Sequence, residues 1–218
     1  MTSAAFGLLT LGLLVPSIVL HEVAHGWVSL RLGDPTARNA GRLSLNPLRH
    51  IDLFGTVLLP LMLWSSGAPV FGYAKPVPIN PAYYRDVRRG QLRASLAGPA
   101  ANLLLAGAGS AAAWLAWTLG ARDCRPLAWA WLFAGAFVEV NLVLMFFNLI
   151  PIPPLDGSSI VPLFLSDSAL PTYYRLQRYA FPLLLVVCWG VPALSGVDPI
   201  GAYLRLSVPL LFNVLVPQ

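Results

Sequence analysis

From Thr2 to Leu32 the chain is apolar for nearly its whole length, yet the last third of that run holds His21, Glu22 and His25 in the order His-Glu-x-x-His. The run is long enough to cross a hydrocarbon core, which takes roughly 20 residues as a helix. Pro16 stands where it would bend that helix just before the histidines. Backbone in lipid must satisfy its own hydrogen bonds, so helix is the form open to such a segment. Ionisable side chains within an apolar span are costly and mark a functional site by default. The whole chain has three histidines and two glutamates, so most of that scarce inventory sits within five residues.

Residues four apart on a helix share one face, so His21 and His25 can put two imidazoles on a single ion. Glu22 falls beside them, where a carboxylate can take a proton from a water that zinc has made acidic. The outline is that of a hydrolytic zinc centre with one zinc per chain.

Across 218 residues, 57% are hydrophobic and 11% charged, and the mean hydropathy is +0.69, values of a chain dissolved in lipid. The expected fold is an all-α polytopic membrane protein. It has about five to six membrane helices, a re-entrant helix and a short extended, β-like membrane segment. The polar stretches Gly33 to Asp52 and Lys75 to Arg93 are too short for a soluble core. Residues 1–218 are therefore read as one domain, with a catalytic core over about 1–165 and C-terminal helices over about 170–218. The net charge of +5 comes from thirteen arginines and one lysine spread over loops that flank apolar spans. That distribution fits membrane orientation and not nucleic-acid binding. Cys124 and Cys188 form no CxxC pair, so neither a disulfide scaffold nor a thiolate metal site is supported. The first segment lacks a charged leader and a cleavage signal and is read as a mature helix.

Arg38, Arg42, Arg49 and His50 occupy one loop, and Arg85, Arg88, Arg89 and Arg93 another. The positive-inside tendency puts both loops on the cytoplasmic side. The apolar segment between them, Leu53 to Trp64, must then enter the membrane and return as a re-entrant helix. Its return limb, Gly72 to Asn80, is too rich in proline for helix and is expected to be extended. Further apolar spans are expected over about Leu92 to Leu119, Pro126 to Ile150, Tyr174 to Leu194 and Ile200 to Val216. The last contains Arg205 and Pro209 and suits either a crossing or the interface.

A catalytic zinc keeps three protein ligands and one open position, so the two histidines need a partner from elsewhere. The extended HExxHxxGxxH pattern fails, because Val28 and Arg31 stand where glycine and histidine would be. A glutamate ligand could only be Glu139, and a third histidine only His50. Glu139 lies roughly 13 Å along its helix from Asn148 and is expected to be protonated or paired, with Asn141 or Arg125 at hand. His50 reads as an interfacial loop residue. Asp156 follows a proline-broken helix end inside an apolar run, where broken backbone and a carboxylate together imply a polar cavity. It could also simply cap the helix that starts at Gly157. Asn102 reads as an interhelical hydrogen-bond donor.

His21-Glu22-xx-His25, Gly98-Pro99-xx-Asn102 and Asn148-xx-Pro151-xx-Pro154-Leu155-Asp156-Gly157 occur in the order found in the site-2 protease family of intramembrane zinc metalloproteases. Gly72 to Pro78 resembles a loop of its compact bacterial members, and the resemblance covers roughly residues 15 to 165. It implies His21, His25 and Asp156 as zinc ligands, Glu22 as general base, and Asn148 as a donor to the developing oxyanion. The implied activity is hydrolysis of a peptide bond in or near the transmembrane helix of a membrane-protein substrate, in a bacterial inner membrane, with the site open toward the cytoplasm. No PDZ-like or nucleotide-sensing CBS domain is inserted. Lys75, Val77 and Ile79 keep backbone donors that Pro76 and Pro78 lack, so one edge of this limb is expected to pair with an unwound substrate. The rival from another class is a catalytically silent regulator that binds membrane helices, against which intact Glu22 argues. A di-iron oxidase needs more ligands than this inventory holds.

Overall fold

The computed structural model describes residues 3–58, 61–62, 65 and 73–218. Its long elements are helices α1 (Ser3–Arg31), α2 (Val87–Thr118), α3 (Arg125–Asn148), α4 (Leu170–Ser195) and α5 (Pro199–Leu215). The first four are long and apolar enough to cross a membrane, α1 over its described stretch Gly12–Arg31, and α5 is shorter. Among the described residues the fold is all-helical, without a strand. The chain is a membrane protein.

α1 ends where Gly33 takes φ 105°, a left-handed turn that leaves the N–H of Asp34 on the carbonyl of Ser29 at 3.0 Å. α2 starts at Asp86, whose carboxylate accepts the N–H of Arg89 at 3.0 Å as an N-cap. One face of α2 carries Gly90, Ala94, Gly98, Asn102, Ala106 and Ala113, all buried. Such small residues let backbones approach without a hydrophobic driving force, as helix packing in lipid requires. α1 and α3 lie against α2. A Cβ at Gly109 would stand 2.9 Å from Val138 of α3. The central core joins Ala106 and Ala113 of α2 to Val138, Leu142 and Met145 of α3 and Val208 of α5. The end of α5 is tied back by Ser110, whose hydroxyl donates to the carbonyl of Leu215 at 2.5 Å, and by Trp131, whose indole N–H reaches that of Pro217 at 3.2 Å.

The re-entrant expectation over 53–64 is described for Leu53–Leu58, a short wide-turned helix, and for positions 61 and 62. Residues 59–60, 63–64 and Gly72 lie outside the described residues. Residues 73–80 carry neither helix nor strand, and several of their donors are engaged within the chain. Lys75 N–H donates to the carbonyl of His50 at 2.8 Å, Val77 N–H to Glu22 Oε2 at 2.8 Å, and Asn80 N–H to Asp34 Oδ2 at 2.7 Å. Two of the three donors read from sequence as a free edge are therefore engaged within the chain. Of these donors Val77 N–H meets α1, whereas Lys75 N–H turns to the loop that holds His50.

Candidate metal centre

Helix α1 projects His21 and His25 from one face toward α2, and glycine makes room for them. A Cβ on Gly98 would stand 2.4 Å from His25 Nε2 and 2.6 Å from His21 Nε2. The helix backbone itself is thus one wall of the site. After α3, Pro151, Pro153 and Pro154 stop the helix and a short turn of 3₁₀ helix begins at Asp156. The chain doubles back so tightly there that a Cβ on Gly157 would lie 2.2 Å from the carbonyl oxygen of Leu149. That return brings Asp156 Oδ2 to 3.2 Å from His21 Nε2 and 3.3 Å from His25 Nε2.

The two imidazoles meet edge to face with their Nε2 atoms 3.0 Å apart. His25 Nδ1 is 2.7 Å from the carbonyl of Ala94, which can only accept, so the ring proton sits on Nδ1. His21 Nδ1 is 2.6 Å from Asn102 Oδ1, which fixes the same tautomer. Both Nε2 atoms therefore face inward with bare lone pairs. Asp156 Oδ2 is buried and has no hydrogen-bond donor. With both rings neutral, three electron-pair donors thus converge within 4.8 Å, an arrangement that a cation would complete. The donor set, two imidazoles and a carboxylate with their outer ring nitrogens pinned, fits zinc with a fourth position left for water or substrate.

Beside the cluster lies a cavity of about 490 Å³, walled by His21, Glu22, Asn148, Tyr73 and Phe181 among others. Glu22 reaches it with one oxygen held by Val77 N–H. Asn148 lines it and spends one amide N–H on the carbonyl of Leu144 at 3.0 Å.

The alternatives to Asp156 fall elsewhere. Glu139 is exposed on α3 and has no ion-pair partner among the described residues, so its expected pairing with Asn141 or Arg125 is not found; Asn141 is bonded to other groups. His50 is a loop residue, but a buried one whose Nε2 donates to the carbonyl of Ser44 at 2.8 Å. Asn102 does bond across helices, its Nδ2 donating to Asn141 Oδ1 at 2.9 Å. Its second role, on His21, escaped sequence reasoning. The i, i+4, i+8 spacing of Ala94, Gly98 and Asn102 on one face of α2 was the available signal.

Helices long and apolar enough to cross a membrane surround a two-histidine, one-carboxylate cluster, a donor set able to hold a metal ion. No family model and no solved structure matches the chain. Among curated proteins it is 34% identical over 191 residues to the Bacillus subtilis protein named "Putative zinc metalloprotease YwhC", covering 87% of this chain and 80% of that one. It is 29% identical over 180 residues to the Mycolicibacterium smegmatis protein named "Putative zinc metalloprotease Rip2", covering 82% and 65%. The Mycobacterium tuberculosis H37Rv protein of the same name is 29% identical over 183 residues, covering 83% and 66%. The chain belongs to the site-2 protease family.

Proposed function

We propose that this protein is an intramembrane zinc metalloprotease that hydrolyses a peptide bond in or near the transmembrane helix of a membrane-protein substrate. The observation that carries this reading is the donor-free, buried Asp156 Oδ2 facing two bare imidazole nitrogens. His21, His25 and Asp156 would hold the ion. When bound, zinc supplies Lewis acidity that brings the pKa of water toward neutrality and polarises a carbonyl.

The chain's own groups do the rest. Glu22, held through Oε2 by Val77 N–H before substrate binds, takes the proton of the attacking water and later returns that proton to the leaving amine. Asn148 keeps its second amide N–H for the oxygen on which negative charge develops. A substrate helix must unwind before its amide is accessible, because that amide is tied up in the helix's own hydrogen bonds. We assign the unwound stretch to the edge of residues 73–80 by strand addition, which requires Val77 N–H to pass from Glu22 to a substrate carbonyl. Val77→Pro, which removes that donor, is expected to impair cleavage at unchanged protein level; unimpaired cleavage would reject the strand pairing.

The proposed setting is a bacterial inner membrane with the site toward the cytoplasm. His25 lies roughly 9 Å along α1 from Arg31, at the arginine-rich end where Arg88 pairs with Asp167.

Metal content measured by mass spectrometry on detergent-purified protein tests the site without a known substrate. About one zinc per chain is expected, lost in Asp156→Ala and retained in Glu139→Ala. Zinc that depends on Glu139, or none in folded wild type, overturns the assignment. Glu22→Gln should keep its zinc while cleavage falls by about 10²–10⁴-fold; full activity excludes the general-base role.

A further inference from the structure

A line of buried polar groups runs from His21 away from the ligand cluster and across three helices. Asn102 of α2 and Asn141 of α3 are both fully buried, as is Ser17 of α1. An asparagine amide can point either way, so its orientation must be fixed by partners that accept only or donate only. The line has such an end. The carbonyl of Phe137 accepts from Asn141 Nδ2 at 2.9 Å. Ser17 Oγ, whose own proton goes to the carbonyl of Leu13 at 2.9 Å, accepts from the same nitrogen at 3.1 Å.

Each later step is then forced. Asn141 must present Oδ1 to Asn102, so Asn102 must answer with Nδ2, at 2.9 Å. Asn102 in turn presents Oδ1 to His21, at 2.6 Å. His21 must therefore carry its proton on Nδ1, which leaves Nε2 bare toward Asp156 and His25. Reversing either amide would set oxygen against oxygen or N–H against N–H in a buried place. His25 needs no such relay, because Ala94 offers it a backbone carbonyl directly.

We propose that Asn141 is a positioning residue which, through Asn102, sets the proton on His21 and so prepares its Nε2 as a metal ligand. This rests on the reading that His21 holds the ion. The helix-to-helix bonds of Asn141 could instead serve packing alone, and two substitutions separate these roles. Asn141→Asp keeps an acceptor for Asn102 but removes the N–H donors that Asn141 gives to Phe137 and Ser17. Asn141→Leu loses the acceptor as well. Zinc affinity of the full chain in detergent, measured by competition with a chelator, is expected to hold at the wild-type level in N141D. In N141L it should fall by about 10–100-fold, as for loss of an outer hydrogen-bond partner. Equal weakening in both variants, or none in folded N141L, overturns the proposal.

A second measurement needs no variant to fold. Nitrogen NMR of metal-free, histidine-labelled wild type should find the His21 proton on Nδ1, and a proton on Nε2 overturns the relay. Wild type that binds no zinc would sink the metal site proposed above, and the ring measurement would then still decide the relay.

Discussion

Asp34 and Asp156 are both carboxylates withdrawn from solvent in an apolar chain, and their surroundings are opposite. Asp34, fully buried at the end of α1, is ringed by donors. Ser29 Oγ reaches it at 2.8 Å, the N–H groups of Thr36 and Asn80 at 2.9 and 2.7 Å, and the Thr36 hydroxyl closes the ring. Asp156 faces His21 and His25 nitrogens whose protons are on the far side of the rings, and its Oδ2 has no donor. A carboxylate met by donors is complete and serves to hold chain segments together. A carboxylate met by lone pairs is incomplete until a cation arrives.

The largest effect that this contrast predicts is on metal. Asp156→Ala should weaken zinc binding by more than the roughly 100-fold that an outer partner costs, whereas Asp34→Ala should leave the affinity of folded protein unchanged. Chelator competition on both variants checks this, and zinc loss in Asp34→Ala would break the distinction. Next in size is Gly98→Ala, whose methyl would press on both Nε2 atoms and is expected to cost roughly 10–100-fold in zinc affinity. Gly107→Ala on the same helix meets nothing within 4 Å and should not change it.

Removing Asp34 should instead show in stability. Several donors, among them the backbone N–H of Asn80, would lose a charged acceptor, for a loss of about 3 kcal/mol. Metal-free Asp156→Ala should be no less stable than metal-free wild type, since the substitution relieves an unsolvated carboxylate. Denaturation in detergent, with metal removed, compares the two. A stability loss confined to Asp156→Ala would reverse the roles assigned here.

The two sites also differed in how far sequence revealed them. The His21–His25 spacing and the proline break before Asp156 were visible because helix periodicity and chain-breaking residues are local signals. The helices α1 to α5 were visible for the same reason, their bounds falling within a few residues of the apolar spans. Asp34 lies in the polar stretch Gly33 to Asp52, where nothing local singles it out. One of its donors is the N–H of Asn80, 46 positions later, and no local pattern announces such a pairing. The same holds for Val77, whose N–H looked free because its acceptor, Glu22, is 55 positions earlier. Asn141 was noted only as a neighbour for Glu139, yet its side chain turns to the opposite face of α3.

The smallest effect concerns acid, and its sign follows from the ring around Asp34. Burial pushes this carboxyl upward, but the hydrogen bonds from Thr36, Asn80 and Ser29 outweigh it and hold the group below its ordinary value of 3.8. As pH falls, the unfolded chain therefore takes up this proton before the folded one does. The stabilisation from Asp34 is fully present above the unfolded value and is lost as pH drops through the lower, folded one. Asp34→Asn has no such proton to bind. The stability difference between wild type and Asp34→Asn should stay constant from neutral pH down to about 5 and shrink below about 4. Unfolding measured across that range decides it. A gap that stayed constant into strong acid would mean that the donors around Asp34 do not favour its charged form, and the contrast with Asp156 would lose its electrostatic basis.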